Sequence, residues 1–135
     1  MNGELLLEIR VTLLESQRVN GAARDIVMIP FTGTAGGPWF TGTVIGPGVD
    51  TQKIGKDGKA ALSARYMLEG TDKSGQNCRI FIENEGGFDT GFHPLIVTDS
   101  ALLSAWETAA LSATVEGAPG GVLVRIFREK EEDKP

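Results

Sequence analysis

Apolar and polar residues alternate along much of this chain. From Leu5 to Leu14 alternate residues (Leu5, Leu7, Ile9, Val11, Leu13) are apolar and share one face, with Glu8, Arg10 and Thr12 on the other and Leu6 and Leu14 as exceptions. A period of two predicts a strand with one buried face. On a helix, Leu5, Leu7 and Ile9 would point to different sides. The same texture predicts strands over 26–31, ending near Pro30, and over 39–45, 62–69, 79–84, 95–97, 111–116 and 122–127. Asn20-Gly21, the GPGVD stretch 46–50, Asp57-Gly58, the polar stretch 71–77 and GAPGG at 117–121 read as turns. Stretches 32–38 and 84–91, rich in Gly, read as loops. One segment departs from the strand pattern: Asp99 or Ser100 can cap a short helix over Ala101–Trp106.

Many short strands with one short helix predict an all-β fold, either an antiparallel barrel or a sandwich. A closed barrel removes free sheet edges and encloses a cavity. The chain has 135 residues, enough for one domain with a substantial core. We expect that domain over 1–128, followed by a charged, disordered tail over 129–135.

Composition narrows the function classes. The net charge is −5 and no basic patch stands out, which argues against nucleic acid as a partner. The first residues do not read as a signal peptide, and no run of about 18 apolar residues exists to form a membrane helix. The expectation is a cytoplasmic protein without membrane contact. The single Cys78 excludes an intrachain disulfide and reads as a buried thiol. With one His and no Cys pair, no metal site and no cofactor are expected.

The richest stretch for chemistry is the hairpin over 61–87. On its first strand Leu62, Ala64, Tyr66 and Leu68 share one face, and Ser63, Arg65, Met67 and Glu69 the other. On its second, Ile80, Ile82 and Asn84 oppose Arg79, Phe81 and Glu83. A regular strand therefore sends either Arg65 or Tyr66 inward, and only a bulge brings both to one cavity. The site expectation rests more on Arg65, whose guanidinium can hold a carbonyl or carboxylate through two donors. Asp50, Glu83 and His93 are the candidates for moving a proton. Trp39 is a candidate pocket wall and Arg24 a further ligand contact.

The order of motifs from GTVIGPGVD at 42–50 through ALSARYMLEGTDKSGQNCRIFIENEG at 61–86 resembles an uncharacterised family, domain of unknown function 3237, also called uncharacterised protein family 0311. The resemblance reaches upstream to Arg24, 26–30 and 36–38, and downstream to Trp106 and the last hairpin. It implies a calycin-like antiparallel β-barrel in a homo-oligomer, with no secure activity. By position Arg24, Asp50, Arg65 and Tyr66 match its recurrent residues.

Three functions remain open. The first is a barrel whose apolar cavity binds a small molecule bearing a carbonyl or carboxylate, with Arg65, Tyr66 and Asp50 at its polar end. The second is a cofactor-independent isomerase, cyclase or lyase, in which Arg65 stabilises an enolate and Asp50, Glu83 or His93 moves the proton. The third is an assembly subunit whose polar strand face is an interface.

Overall fold

The computed structural model describes residues 3–129. Most of the tail expected to be disordered, residues 130–135, lies outside the described residues. Nine strands follow in chain order: β1 (Glu4–Leu13), β2 (Gln17–Asn20), β3 (Arg24–Gly36), β4 (Phe40–Gly55), β5 (Ala60–Asp72), β6 (Asn77–Gly87), β7 (Gly91–Thr98), β8 (Leu111–Ala118) and β9 (Gly121–Arg128). Every neighbour pair is antiparallel, in the order β1-β9-β8-β7-β6-β5-β4-β3-β2. Pairing of Glu8–Leu13 with Phe31–Gly36 joins β1 to β3 and closes an eight-stranded barrel. Strand β2 stands outside the closure, against the first residues of β3. No helix among the described residues is long and apolar enough to cross a membrane.

Gly-rich stretches expected as turn or loop are largely strand: β6 runs on through 84–87 of the expected 84–91 loop. β3 runs on past Pro30 to Gly36, and β4 carries GPGVD within its sixteen residues. The glycines bend β4 instead of ending it. The register with β5 shifts between Ile45 and Val49, and Gly46 has φ +60. Gly48 has no room for a side chain: a Cβ there would lie 2.6 Å from the Phe31 ring and 2.7 Å from Tyr66 Cβ. Closing a small barrel needs such a bulge to curve a long strand. The result moves Asp50 from an expected turn onto a barrel wall.

The short helix expected over 101–106 is instead a turn leading into one 3-10 turn, Ser104–Glu107. Ser100 closes the turn before it, its Oγ accepting from the Leu103 N–H at 3.1 Å, and no side chain among the described residues caps the 3-10 turn itself. Asp99 is used elsewhere, accepting from the Arg79 N–H at 2.8 Å. The segment folds across one end of the barrel, where Leu103 and Trp106 join the core of Leu7, Phe40, Leu68 and Ile80. Because it takes up the chain between β7 and β8, those strands meet in register only at Phe92–Ala113.

Asp72 ties this plug to the wall. It ends β5 and is almost fully buried. Its carboxylate accepts from the Ser74 Oγ and N–H, the Gln76 N–H and, at 2.7 Å, the Ser100 Oγ. The Ser74 hydroxyl, then that of Ser100, hold its pKa below the ordinary carboxylate value. Stability from such a group is complete above the unfolded pKa and is lost as pH falls through the lower, folded one. Asp72→Ala is therefore expected to lower Tm by several degrees at neutral pH, with the gap to wild type closing in acid. Thermal melts across pH check this, and a gap independent of pH would refute it.

Candidate functional site

The end of the barrel opposite the plug is open. Here the inward side chains no longer meet, leaving a cavity of about 160 Å³. Its wall is mostly aliphatic and aromatic: Val11, Ile29, Phe31, Leu62, Phe92 and Val124 are typical. Phe88, 74% exposed, stands at the rim in edge-to-face contact with Phe92, ring centres 5.3 Å apart.

Four polar side chains interrupt this wall: Asp50 and Gln52 from β4, Tyr66 from β5 and Asn84 from β6. Register explains their grouping. Ile29, Asp50, Ala64, Asn84 and Pro94 form one row across five strands. Asp50 and Asn84 flank Ala64, whose methyl leaves the space between them open. Tyr66 lies two residues along from Ala64 and is diagonal to Asn84, roughly 7–8 Å away across the β5–β6 ladder.

Their hydrogen bonding is incomplete. Tyr66 Oη and Asn84 Oδ1 are buried without a partner. A buried polar atom left in this state costs on the order of 1–3 kcal/mol, so the cavity holds two groups that a ligand can satisfy. The Tyr66 ring is fixed by an edge contact with Phe31, 5.3 Å between centres at 72°. Burial pushes the phenol well above its ordinary pKa, so it is a hydrogen-bond donor at neutral pH. Burial also raises the pKa of Asp50, opposed by a 3.0 Å hydrogen bond that Gln52 Nε2 donates to its Oδ2. Among the described residues, no Lys, Arg or His lines this cavity, and no group of three His, Cys, Asp or Glu gathers to hold a metal.

Of the expected site residues, Asp50 and Tyr66 are brought together and the rest are not. Arg65 does not reach the cavity. No bulge lies between β5 and β6, so with Tyr66 inward Arg65 is outward, its side chain 57% exposed and 4.0 Å from Glu83. Glu83 is on that same outer face for the same reason. His93 alternates with inward Phe92 and Pro94 and is exposed opposite Glu85. Arg24 is exposed at the start of β3. Trp39 is near the plugged end, where its indole N–H donates to Glu4 at 3.1 Å and its ring lies 5.0 Å from Lys73 Nζ. Asn84 and Gln52 are the polar cavity residues not singled out from sequence. Asn84 left a signal, a polar residue on the same strand face as Ile80 and Ile82.

Fold and site together define a class: a closed eight-stranded β-barrel, plugged at one end, with a mostly apolar cavity at the other. The chain belongs to the family of proteins of unknown function DUF3237, whose model matches residues 1–92. No functionally curated protein matches it. It is similar to a protein of unknown function from Clostridium acetobutylicum ATCC 824, with a TM-score of 0.82 and 24% identity over 96% of this chain and all of that one. A β-barrel-like protein from Acinetobacter baumannii AYE aligns with a TM-score of 0.77 and 17% identity, over 94% of each chain. An enzyme from Penicillium herquei aligns with a TM-score of 0.75 and 20% identity, over 94% of this chain and 92% of that one. At these identities the likeness establishes the fold.

Proposed function

We propose that the barrel binds a neutral, ring-sized molecule bearing a carbonyl group. The observation that carries this reading is the buried, unpartnered Tyr66 Oη, whose O–H can donate into a mostly apolar cavity. A cavity of about 150 Å³ holds a benzene-sized ring, and this one is of that size. The Tyr66 O–H is a donor suited to a carbonyl oxygen. A carboxylate would enter a space lined by Asp50 and, among the described residues, by no cationic side chain, so the neutral carbonyl is the better match.

Calorimetric titration with three rings of similar shape tests the idea: cyclohexanone, methylenecyclohexane and cyclohexanecarboxylate. Cyclohexanone is expected to bind tightest and the anion not at all near neutral pH. Tyr66→Phe is expected to weaken the ketone about five- to tenfold, the worth of one hydrogen bond, while leaving the hydrocarbon unchanged. Its Tm should hold or rise, because Oη has no protein partner to lose. Equal binding of ketone and hydrocarbon to wild type would overturn the assignment.

One observation favours a second, catalytic reading of this cavity. Asp50 has its pKa raised by burial and shares the cavity with the Tyr66 donor. A carboxylate so placed can take a proton from the carbon next to a carbonyl. The C–H electron pair then forms the enolate C=C bond, the carbonyl π pair moves onto oxygen, and the Tyr66 O–H hydrogen-bonds that oxygen. Where that C=C bond is conjugated with a second one in the ligand, return of the proton to the far carbon gives an isomer, with no cofactor consumed.

A further inference from the structure

We propose that the outer face of β4–β7 is a homodimer interface, with a second copy of this chain as its occupant. Register places Ile45, Met67, Phe81 and Val97 side by side in one row across the outside of four adjacent strands. Leu95 extends the patch on β7, and both Leu95 and Val97 are about half exposed, at 47% and 49%. The far side of the barrel is different. There Arg125 of β9 pairs with Glu8 at 2.9 Å and with Glu116 at 2.6 Å, a satisfied ionic network on β1, β8 and β9. The β4–β7 face thus carries an apolar row across four adjacent strands, as in the core of a protein–protein contact; Met28 on β3 and Val19 on β2 are also exposed, at 41% and 61%.

The charges around the row identify the occupant. On one side of the Met67–Phe81 pair stand Arg65 and Glu83, directly opposite each other; on the other side stand Glu69 and Arg79, also opposite. β5 therefore reads plus then minus, and β6 minus then plus. Within one chain the pairs are Arg65–Glu83 at 4.0 Å and Arg79–Glu69 at 2.9 Å. Exposed pairs of this kind add little to the stability of a monomer. Their arrangement as a square of alternating sign has a geometric property, however. Consider a second copy turned face to face about a two-fold axis lying in the sheet plane and passing through the centre of the square. If the axis runs along the strands, Arg65 faces the position of Glu83 in the other copy and Glu69 that of Arg79. If it runs across the strands, Arg65 faces Glu69 and Glu83 faces Arg79. Both in-plane two-folds bring opposite charges together, so the patch is complementary to itself, as an isologous dimer requires. The strands that would be buried carry Tyr66 and Asn84 on their inner side, so the contact would stiffen the polar wall of the cavity.

The test uses the full chain and two charge variants. One carries Arg65→Glu with Arg79→Glu, leaving four acidic residues around the row; the other carries Glu69→Arg with Glu83→Arg, leaving four basic ones. By sedimentation equilibrium, wild type is expected to be a dimer. Each variant alone should self-associate roughly a hundredfold more weakly, because like charges then face each other across the contact. An equimolar mixture of the two variants should restore a dimer containing one of each. Phe81→Glu should give a monomer with an unchanged far-ultraviolet circular dichroism spectrum, which separates loss of contact from loss of fold. A monomeric wild type, variants that dimerise as wild type does, or a mixture that stays monomeric would each overturn the proposal.

Discussion

Asp50→Asn is expected to make this protein more stable and, if the cavity is catalytic, inactive. The carboxylate is partly desolvated on an apolar wall, its one side-chain partner among the described residues is Gln52, and burial raises its pKa above the ordinary value. The native state therefore holds this proton to higher pH than the unfolded chain. Between the unfolded and folded pKa values the native state carries more protons, so stability falls as pH rises across that window. Above it the cost of the buried charge is complete. An Asn has no charge to bury and its amide can still bond Gln52, so Tm of the variant should exceed that of wild type at neutral pH. The difference should vanish below the ordinary Asp pKa. Proton transfer has the opposite requirement, since the working form is the carboxylate. Exchange of α-hydrogens of cyclohexanone for deuterium, followed by proton NMR, should accelerate with pH through the raised Asp50 pKa. It should fall by roughly 10²–10⁴ in the variant. A more stable variant that retains ketone binding but has lost exchange supports the catalytic reading. A more stable variant with no exchange in wild type either leaves a binding protein with a costly carboxylate, a stability–function trade in which Asp50 serves recognition alone.

The fold was legible from the sequence where the period of two was uninterrupted. β1 and the β5–β6 hairpin follow from alternation, and the hairpin's faces follow too: Leu62, Ala64, Tyr66 and Leu68 do point inward, as do Ile80, Ile82 and Asn84; in β1 a bulge between Leu5 and Leu7 instead buries Leu6 and leaves Leu5 beside the outer Glu8 and Arg10. Legibility failed where Gly and Pro bend a strand without ending it. In GPGVD the local signal for a turn is the same as that for a bulge, and only the registers of β3 and β5 on either side distinguish them. That ambiguity hid the position of Asp50. The site was half legible for a second reason. A guanidinium is versatile, which favours Arg65 on residue type alone, but the apolar company of Tyr66 on its own face is the better guide to burial. Asn84 sat in the same kind of company and carried the same message. His93 and Trp39 illustrate the limit of residue type as evidence: each belongs to a versatile class, and each lies away from the cavity for reasons of register and barrel end that only the closed sheet defines.

Trp106→Ala is the substitution expected to cost this barrel most. The indole is 2% exposed within the plug, beside Leu103 at 1%, and caps the core at the end away from the cavity. Removing a buried Trp side chain costs about 3–5 kcal/mol, against a total stability of about 5–15 kcal/mol for a domain of this kind. The expected fall in Tm is on the order of 10–20 °C. The hydrogen bonds from Ser100 to Asp72 and from the Thr98 N–H to Glu107 do not involve the indole, so the plug backbone should stay in place over a void. Added indole is then expected to recover part of the lost Tm in the variant and to leave wild type unchanged. A fall in Tm without indole rescue would mean that the segment has left the barrel end. A Tm within a degree or two of wild type would mean that the segment is not the plug. The contrast with Tyr66→Phe is the physical point. Both side chains are large, aromatic and buried, but Trp106 fills its space while Tyr66 presents an unsatisfied hydroxyl to an empty one. The same barrel should lose much of its stability at one end and little or none at the other, which is the pattern expected of a scaffold closed at one pole and open to a ligand at the opposite pole.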